Sequence, residues 1–292
     1  MSSLEDFSEI TRRNEPLGPL TWLKVGGPAE YFVEPRDPDE LQRVVLCCRD
    51  HGIPVRLLGS GSNLLVSDEG VSGVVIRVTG DAFSTITIDG TRVSAGGAAA
   101  LSAVVSQSVG AGLTGLEVLA GIPGTVGGAI HGNAGGREGD VGQHVSAVSV
   151  LTVTGERFTR TEDELVFSYR RSSVDELVVL ECSFDLQLDE PDAITRRMRK
   201  IWIKRKATQP LSFQSVGCIF RNPRGLTAGD LIEQAGLKGT RSGNAEISDR
   251  HANFIVTEEG SKAADVLNLI DIAKSRVAEE FGVELELEIQ IW

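Results

Sequence analysis

A chain of 292 residues with 41% hydrophobic and 24% charged residues carries apolar material for more than one core, which excludes collagen-like, disulfide-scaffold and predominantly disordered states. Its formal charge, 29 basic against 41 acidic residues, is -12, which would repel a polyanion over most of the surface and argues against nucleic-acid binding. Glycine is the compositional outlier at 33 residues, and its clustering points to close approach of backbone to something else.

The first 20 or so residues are polar and interrupted by proline, which predicts a loosely attached arm. Their acidic start lacks the basic and apolar regions of a signal peptide, and no run is apolar enough to span a bilayer, so a cytoplasmic protein without membrane insertion is expected. Residues 29–35 read as a strand. Asp37 followed by Pro38 opens a helix with Leu41, Val44, Val45 and Cys48 on one face. A second strand at 54–58 runs into Gly59-Ser60-Gly61-Ser62-Asn63, then Leu64-Leu65-Val66, with a further strand at 74–78.

A second piece begins near Thr85 and includes an Ala/Ser helix over 98–109. The stretch 110–142 holds twelve glycines. Strands return at 145–153 and 177–188, separated by Thr161-Glu162-Asp163-Glu164, a capping-box start to a short helix. A helix over 191–206 carries Arg196, Arg197, Arg199, Lys200, Lys204, Arg205 and Lys206 around Ile194, Met198 and Ile201. The last piece contains a helix at 229–235 stopped by Gly236, a strand at 253–256, a long helix over 261–281 stopped by Gly282, and a terminal strand. The class is α+β. Cys47, Cys48, Cys182 and Cys218 form no CxxC pair and the four histidines are scattered, so no metal site is expected.

Residues 59–63 offer unhindered N–H groups, two hydroxyls and an amide, a concavity suited to phosphate, but taken alone the motif is a weak signal and a plain tight turn between strands is its ordinary reading. This is not a Rossmann fingerprint, because Leu64 stands where the third glycine would be and no helix follows. The stretch 115–135 is harder to read as a mere loop, since so much glycine is entropically costly unless a ligand or another backbone fills the space.

At this point the chain resembles a known family. Lys24-Val-Gly-Gly-Pro-Ala29, Leu58-Gly-Ser-Gly-Ser-Asn-Leu-Leu65, Thr114-Gly-Leu-Glu117, Gly121-Ile-Pro-Gly-Thr-Val-Gly-Gly128 and Asn133-Ala-Gly135 are similar to the UDP-N-acetylenolpyruvoylglucosamine reductase family. So are Tyr169-Arg170, Gly217-Cys-Ile-Phe-Arg-Asn-Pro223, Ala228-Gly-Asp-Leu-Ile232, Gly236-Leu-Lys-Gly239, His251-Ala-Asn-Phe254 and Glu284-Leu-Glu-Leu-Glu288. The motifs follow one another over nearly the whole chain. The absence of an insertion between Phe167 and Leu188 resembles the compact form of the family, which lacks a tyrosine-bearing loop.

The resemblance implies a two-part FAD-binding domain of the vanillyl-alcohol oxidase/PCMH type, residues 1–82 and 83–206 with a connector helix, followed by a C-terminal α+β substrate-binding domain, 207–292. It implies noncovalent FAD held by Gly59, Ser60, Gly61, Ser62, Asn63, Leu64, Gly115, Glu117, Gly121, Ile122, Pro123, Gly124, Thr125, Gly127, Gly128, Asn133, Ala134 and Gly135. NADPH is the implied hydride source, and the implied reaction reduces UDP-N-acetylglucosamine enolpyruvate to UDP-N-acetylmuramate for peptidoglycan. The only implied partner is this small UDP-sugar, and a monomer is expected.

By the same resemblance Arg170 holds the enolate-like intermediate, Cys218 donates the proton, where most members carry serine, and Glu288 is the essential glutamate. A thiol, with an ordinary pKa of about 8.5, is a better acid than a hydroxyl. From pattern alone each residue has a blander reading: Arg170 as a surface arginine, Cys218 as a core thiol, Glu288 as one of three solvent-facing glutamates on an alternating strand. Asn222 and Lys238 match substrate positions, and Lys238 or the basic helix could meet the diphosphate, although a solvated face is the ordinary reading of such a helix. Two other functions stay open: an FAD-dependent alcohol or sugar oxidase on the same fold, and a noncatalytic nucleotide-binding protein.

Overall fold

The computed structural model describes residues 4–292, and the chain divides into two compact units, neither of them a single stretch. The first comprises the chain up to Arg13, Tyr31–Gly59 and Ser72–Lys204; the second comprises Asn14–Glu30, Ser60–Val71 and Arg205–Trp292. Two short segments from the N-terminal third therefore group with the C-terminal residues.

In the first unit a five-stranded antiparallel sheet runs in the order Arg157–Thr161, Val145–Leu151, Val178–Asp185, Arg92–Gly96, Ile86–Asp89. Val148, Val150, Cys182, Phe184, Val93 and Ala95 point from alternate positions into one core, which the helix Leu101–Gly110 closes with Leu101, Val104 and Val105. A second core packs the helix Pro38–Asp50 on strands that include Val55–Leu58 and Val71–Arg77, paired in parallel from Val55 to Val74. Asp37 caps that helix by accepting from the Glu40 N–H, and Leu41, Val44, Val45 and Cys48 face inward as their spacing predicts. Thr161 and Glu164 form the expected capping box.

The loosely attached arm is not found. Residues 4–10 form two 3-10 turns that meet at a kink at Phe7, and Thr11–Pro16 a strand; Phe7 is buried in the second core, and the Glu34 N–H donates to Ile10 O at 3.0 Å. Phe7, with Leu4 and Ile10 packed beside it on the same core, outweighs the polar composition of the segment.

The second unit packs the helices Ala228–Gln234 and Ala263–Phe281 against a three-stranded antiparallel sheet, Arg241–Ser242, Ala245–Ile247 and Ile255–Thr257. The Asp68 carboxylate accepts from the N–H groups of Ala263 at 2.8 Å and Ala264 at 3.0 Å, filling two of the donors left over at that helix start. Gly282, at φ +65°, ends it. The predicted terminal strand shrinks to Gln290–Ile291, parallel to Leu64–Leu65, because residues 286–288 meet only a short partner around Phe220. Among the described residues no helix is long and apolar enough to cross a membrane.

Candidate functional site

In the first unit the glycine-rich segment is folded back on the turn at 96–99. Gly124 O accepts from the Leu101 N–H at 3.0 Å, Ala99 O from Val126 at 2.9 Å and Gly97 O from Gly127 at 2.8 Å. Gly121 and Gly124 stand at φ +81° and +124°, conformations that side chains rarely adopt. Thr125 caps the short helix Val126–His131 through Gly128 N–H, and among the described residues its hydroxyl is the one neighbour within 4 Å, beyond the adjoining backbone, that a Cβ on Gly59 (3.2 Å) or on Gly128 (3.6 Å) would meet. Two glycine motifs thus flank one hydroxyl with room otherwise open, as a cofactor bound by main chain requires. The residues fit FAD on that ground.

Glu117 is turned toward its own loop. One carboxylate oxygen accepts from the Thr114 hydroxyl at 2.7 Å and Arg197 Nε at 3.0 Å, and the other from the Gly115 N–H at 2.6 Å. Burial pushes this carboxyl up, but the Gly115, Thr114 and Arg197 donors outweigh it and hold the pKa below the ordinary value. Arg197 also donates to Asp189 Oδ2 at 2.7 Å. Lys204 pairs with Glu138 at 3.1 Å, so at these two positions the basic helix ties down neighbouring loops. Gly115, at φ +135°, lies under the His144 ring. Burial lowers the His144 pKa, which favours neutral imidazole there.

Asn133 is buried, with φ +42°, and its side chain reaches the hairpin Phe167–Ser168/Arg171–Ser172. Arg170 sits in the turn of that hairpin at φ +56°, its guanidinium carbon 5.4 Å from the centre of the Tyr169 ring. Ala134 bonds to Ala129 and Val141 through its main chain, and Gly135 packs on Asp140.

In the second unit the Trp22 N–H donates to Gly61 O at 3.1 Å, and Gly61 (φ +68°) admits no side chain because Leu20 O and Thr21 Cα crowd it. The Ser60 hydroxyl donates to Ser62 at 3.1 Å, and Asn63 Nδ2 donates to Glu288 O at 3.1 Å. Leu64 is buried beside Gln290. Glu288 is half-buried, whereas Glu284 and Glu286 are exposed, so the three do not share one environment. The Glu288 N–H donates to Ile219 O at 2.8 Å and the Arg221 N–H to Glu286 O at 2.9 Å, setting the Cys218–Arg221 stretch beside Glu288. Asn253 fastens the other side: it accepts from the Phe220 N–H at 2.9 Å, returns a bond to Phe220 O at 2.7 Å, and its carbonyl accepts from Ile219 at 2.8 Å.

Cys218 is half-buried while Cys47, Cys48 and Cys182 are buried, and burial raises the pKa of each of those three. Asn222 Oδ1 accepts from the Ala228 N–H at 3.0 Å, and Lys238 pairs with Glu233 at 2.7 Å. His251 is held below its ordinary pKa by burial and then by Lys238, and its Nδ1 accepts from the Asn253 N–H. Sequence reasoning missed Asn253 and Arg197 as organising residues. The His251-Ala-Asn-Phe254 motif was the only signal for the former, and nothing local marks the latter.

Two family models match the chain: an FAD binding domain over residues 29–160, and a UDP-N-acetylenolpyruvoylglucosamine reductase C-terminal domain over 209–292. A UDP-N-acetylenolpyruvoylglucosamine reductase 2 from Symbiobacterium thermophilum is 44% identical, with 96% of this chain and 92% of that protein covered. The corresponding reductase of Listeria monocytogenes is 40% identical, with 95% and 93% covered. The crystal structure of the Thermus caldophilus reductase superposes with a TM-score of 0.83 at 40% identity, over 97% of this chain and 98% of that one. A glucose dehydrogenase, wild-type Phl p 4.0202, superposes with a TM-score of 0.50 at 15% identity over 63% of this chain and 42% of its own, a likeness of fold alone.

Proposed function

From its membership of the UDP-N-acetylenolpyruvoylglucosamine reductase family, to which this chain belongs, we infer that it reduces UDP-N-acetylglucosamine enolpyruvate to UDP-N-acetylmuramate for peptidoglycan synthesis, with NADPH as reductant. Bound FAD supplies the hydride relay from NADPH to the terminal methylene carbon of the enolpyruvyl ether. The chain supplies the rest. Gly59 and the 121–128 segment hold the cofactor through main chain, and Glu117 acts by fixing the loop that carries Gly115.

Charge that appears on the carbon beside the carboxylate spreads into that carboxylate, where the planar, permanently charged guanidinium of Arg170 suits it. The Cys218 thiol gives its proton to the same carbon, and Glu288 orients or replenishes that proton. The observation that carries this reading is the backbone pairing of Ile219 with Glu288, which places thiol and carboxylate on adjacent segments. Asn222 and Lys238 serve the UDP-sugar. Duties divide as FAD binding in 1–82 and 83–206 and substrate binding in 207–292, and the protein works as a cytoplasmic monomer, which light scattering tests.

The experiment follows the two half-reactions in Cys218 variants. Cys218→Ala is expected to let NADPH reduce the flavin yet form no product, while Cys218→Ser keeps substantial turnover. A fully active alanine variant removes Cys218 from the mechanism.

A further inference from the structure

We propose that Asn133 is a positioning residue for Arg170, holding the hairpin that presents the guanidinium to the reacting substrate. The proposal rests on the role given to Arg170 above. It starts from a conflict in the backbone: Arg170 occupies φ +56°, a region that non-glycine residues avoid, and such a conformation persists only where the flanks are held.

What holds them is visible. Asn133 Nδ2 donates to Ser168 O at 2.9 Å, two residues before Arg170, while Asn133 Oδ1 accepts from the Gly142 N–H at 3.1 Å. One buried amide therefore joins the hairpin to the 141–144 turn, and Gly142 must lack a side chain because the Phe167 ring lies against its α-carbon. On the other strand the Ser172 hydroxyl donates to His131 O at 3.2 Å, and the Ser173 N–H to Val166 O at 2.8 Å. Tyr169, beside Arg170 in the turn, is 54% exposed. Asn133 itself stands at φ +42°, which asparagine tolerates better than most residues. An asparagine amide thus spans 35 positions to fix the segment carrying a catalytic charge.

The test is a double-mutant cycle on the flavin-loaded enzyme with Asn133→Gly and Arg170→Ala. Glycine accepts the left-handed backbone and removes the amide, and the Arg170→Ala background subtracts the effect of the backbone freedom it adds. The first readout is the single-turnover rate at which the enolpyruvyl UDP-sugar reoxidises pre-reduced enzyme. The second is amide exchange across residues 166–173. Asn133→Gly is expected to slow reoxidation about tenfold when Arg170 is present and less than about twofold in the Arg170→Ala background. It should also raise exchange in the hairpin and leave the Ala263–Phe281 helix protected. Asn133→Asp, which keeps the acceptor for Gly142 and loses the donor for Ser168, should shift both readouts the same way and serves if the glycine variant does not fold.

Equal slowing in both backgrounds, or no slowing with Arg170 present, overturns the proposal. If Arg170→Ala alone reoxidises at the parent rate, the role of Arg170 falls first, and the proposal falls with it for that separate reason.

Discussion

Glu117 shows how one carboxylate can fix the loop that carries it. Its carboxylate is almost completely buried and takes three donors from Thr114, Gly115 and Arg197, so removing the charge leaves partners without an acceptor in a dry place. Glu117→Gln is expected to lower stability by about 1–3 kcal/mol, discounted because Arg197 is partly solvated, and to weaken flavin retention; denaturant unfolding and flavin content measure both. The pH dependence has a definite sign. With the folded pKa below the unfolded value, the carboxylate's contribution is complete above the ordinary glutamate pKa of about 4.3 and is lost as pH falls below it. The stability gap between parent and Glu117→Gln should therefore narrow on acidification, and a gap that widens below that pH contradicts the assignment.

At the scale of elements, two contacts set testable costs. Asp68→Ala removes the acceptor for the first donors of the Ala263–Phe281 helix and should cost about 1–2 kcal/mol in denaturant unfolding; an unchanged midpoint would mean that water replaces it. Gly115→Ala must place a Cβ about 3 Å from the His144 ring in a backbone conformation alanine avoids, at about 1–3 kcal/mol. Adding His144→Ala should relieve the clash and leave the backbone strain, so recovery is partial. A full recovery would show that the φ value carries no cost.

These elements also show what the sequence could reveal. The helices at 38–50, 191–208 and 263–281 were legible because face periodicity, caps and stop glycines are local signals. The integration of residues 4–16 was not, since Leu4, Phe7 and Ile10 are sparse apolar anchors in a mostly polar stretch. At the candidate site the glycine motifs could be read as main-chain binding surfaces. Asn253 and Arg197 could not, because their bonds reach across 33 and 80 positions to partners that no spacing rule connects.

For the whole molecule, the chain's acidity has a consequence. A net charge of -12 gives no general attraction for an anionic UDP-sugar, so recognition must come from particular cations and main-chain donors. The family assignment, the glycine surface around Thr125 and the Ile219–Glu288 backbone pairing then amount to one statement: electrons from NADPH pass through bound flavin to an enolpyruvyl ether. Anaerobic absorbance of the flavin-loaded protein tests it most directly. Stoichiometric NADPH should bleach the flavin, and adding UDP-N-acetylglucosamine enolpyruvate without oxygen should restore the oxidised spectrum, with one UDP-N-acetylmuramate formed per flavin. Bleaching that only air reverses, or a flavin that NADPH cannot bleach, would contradict the account.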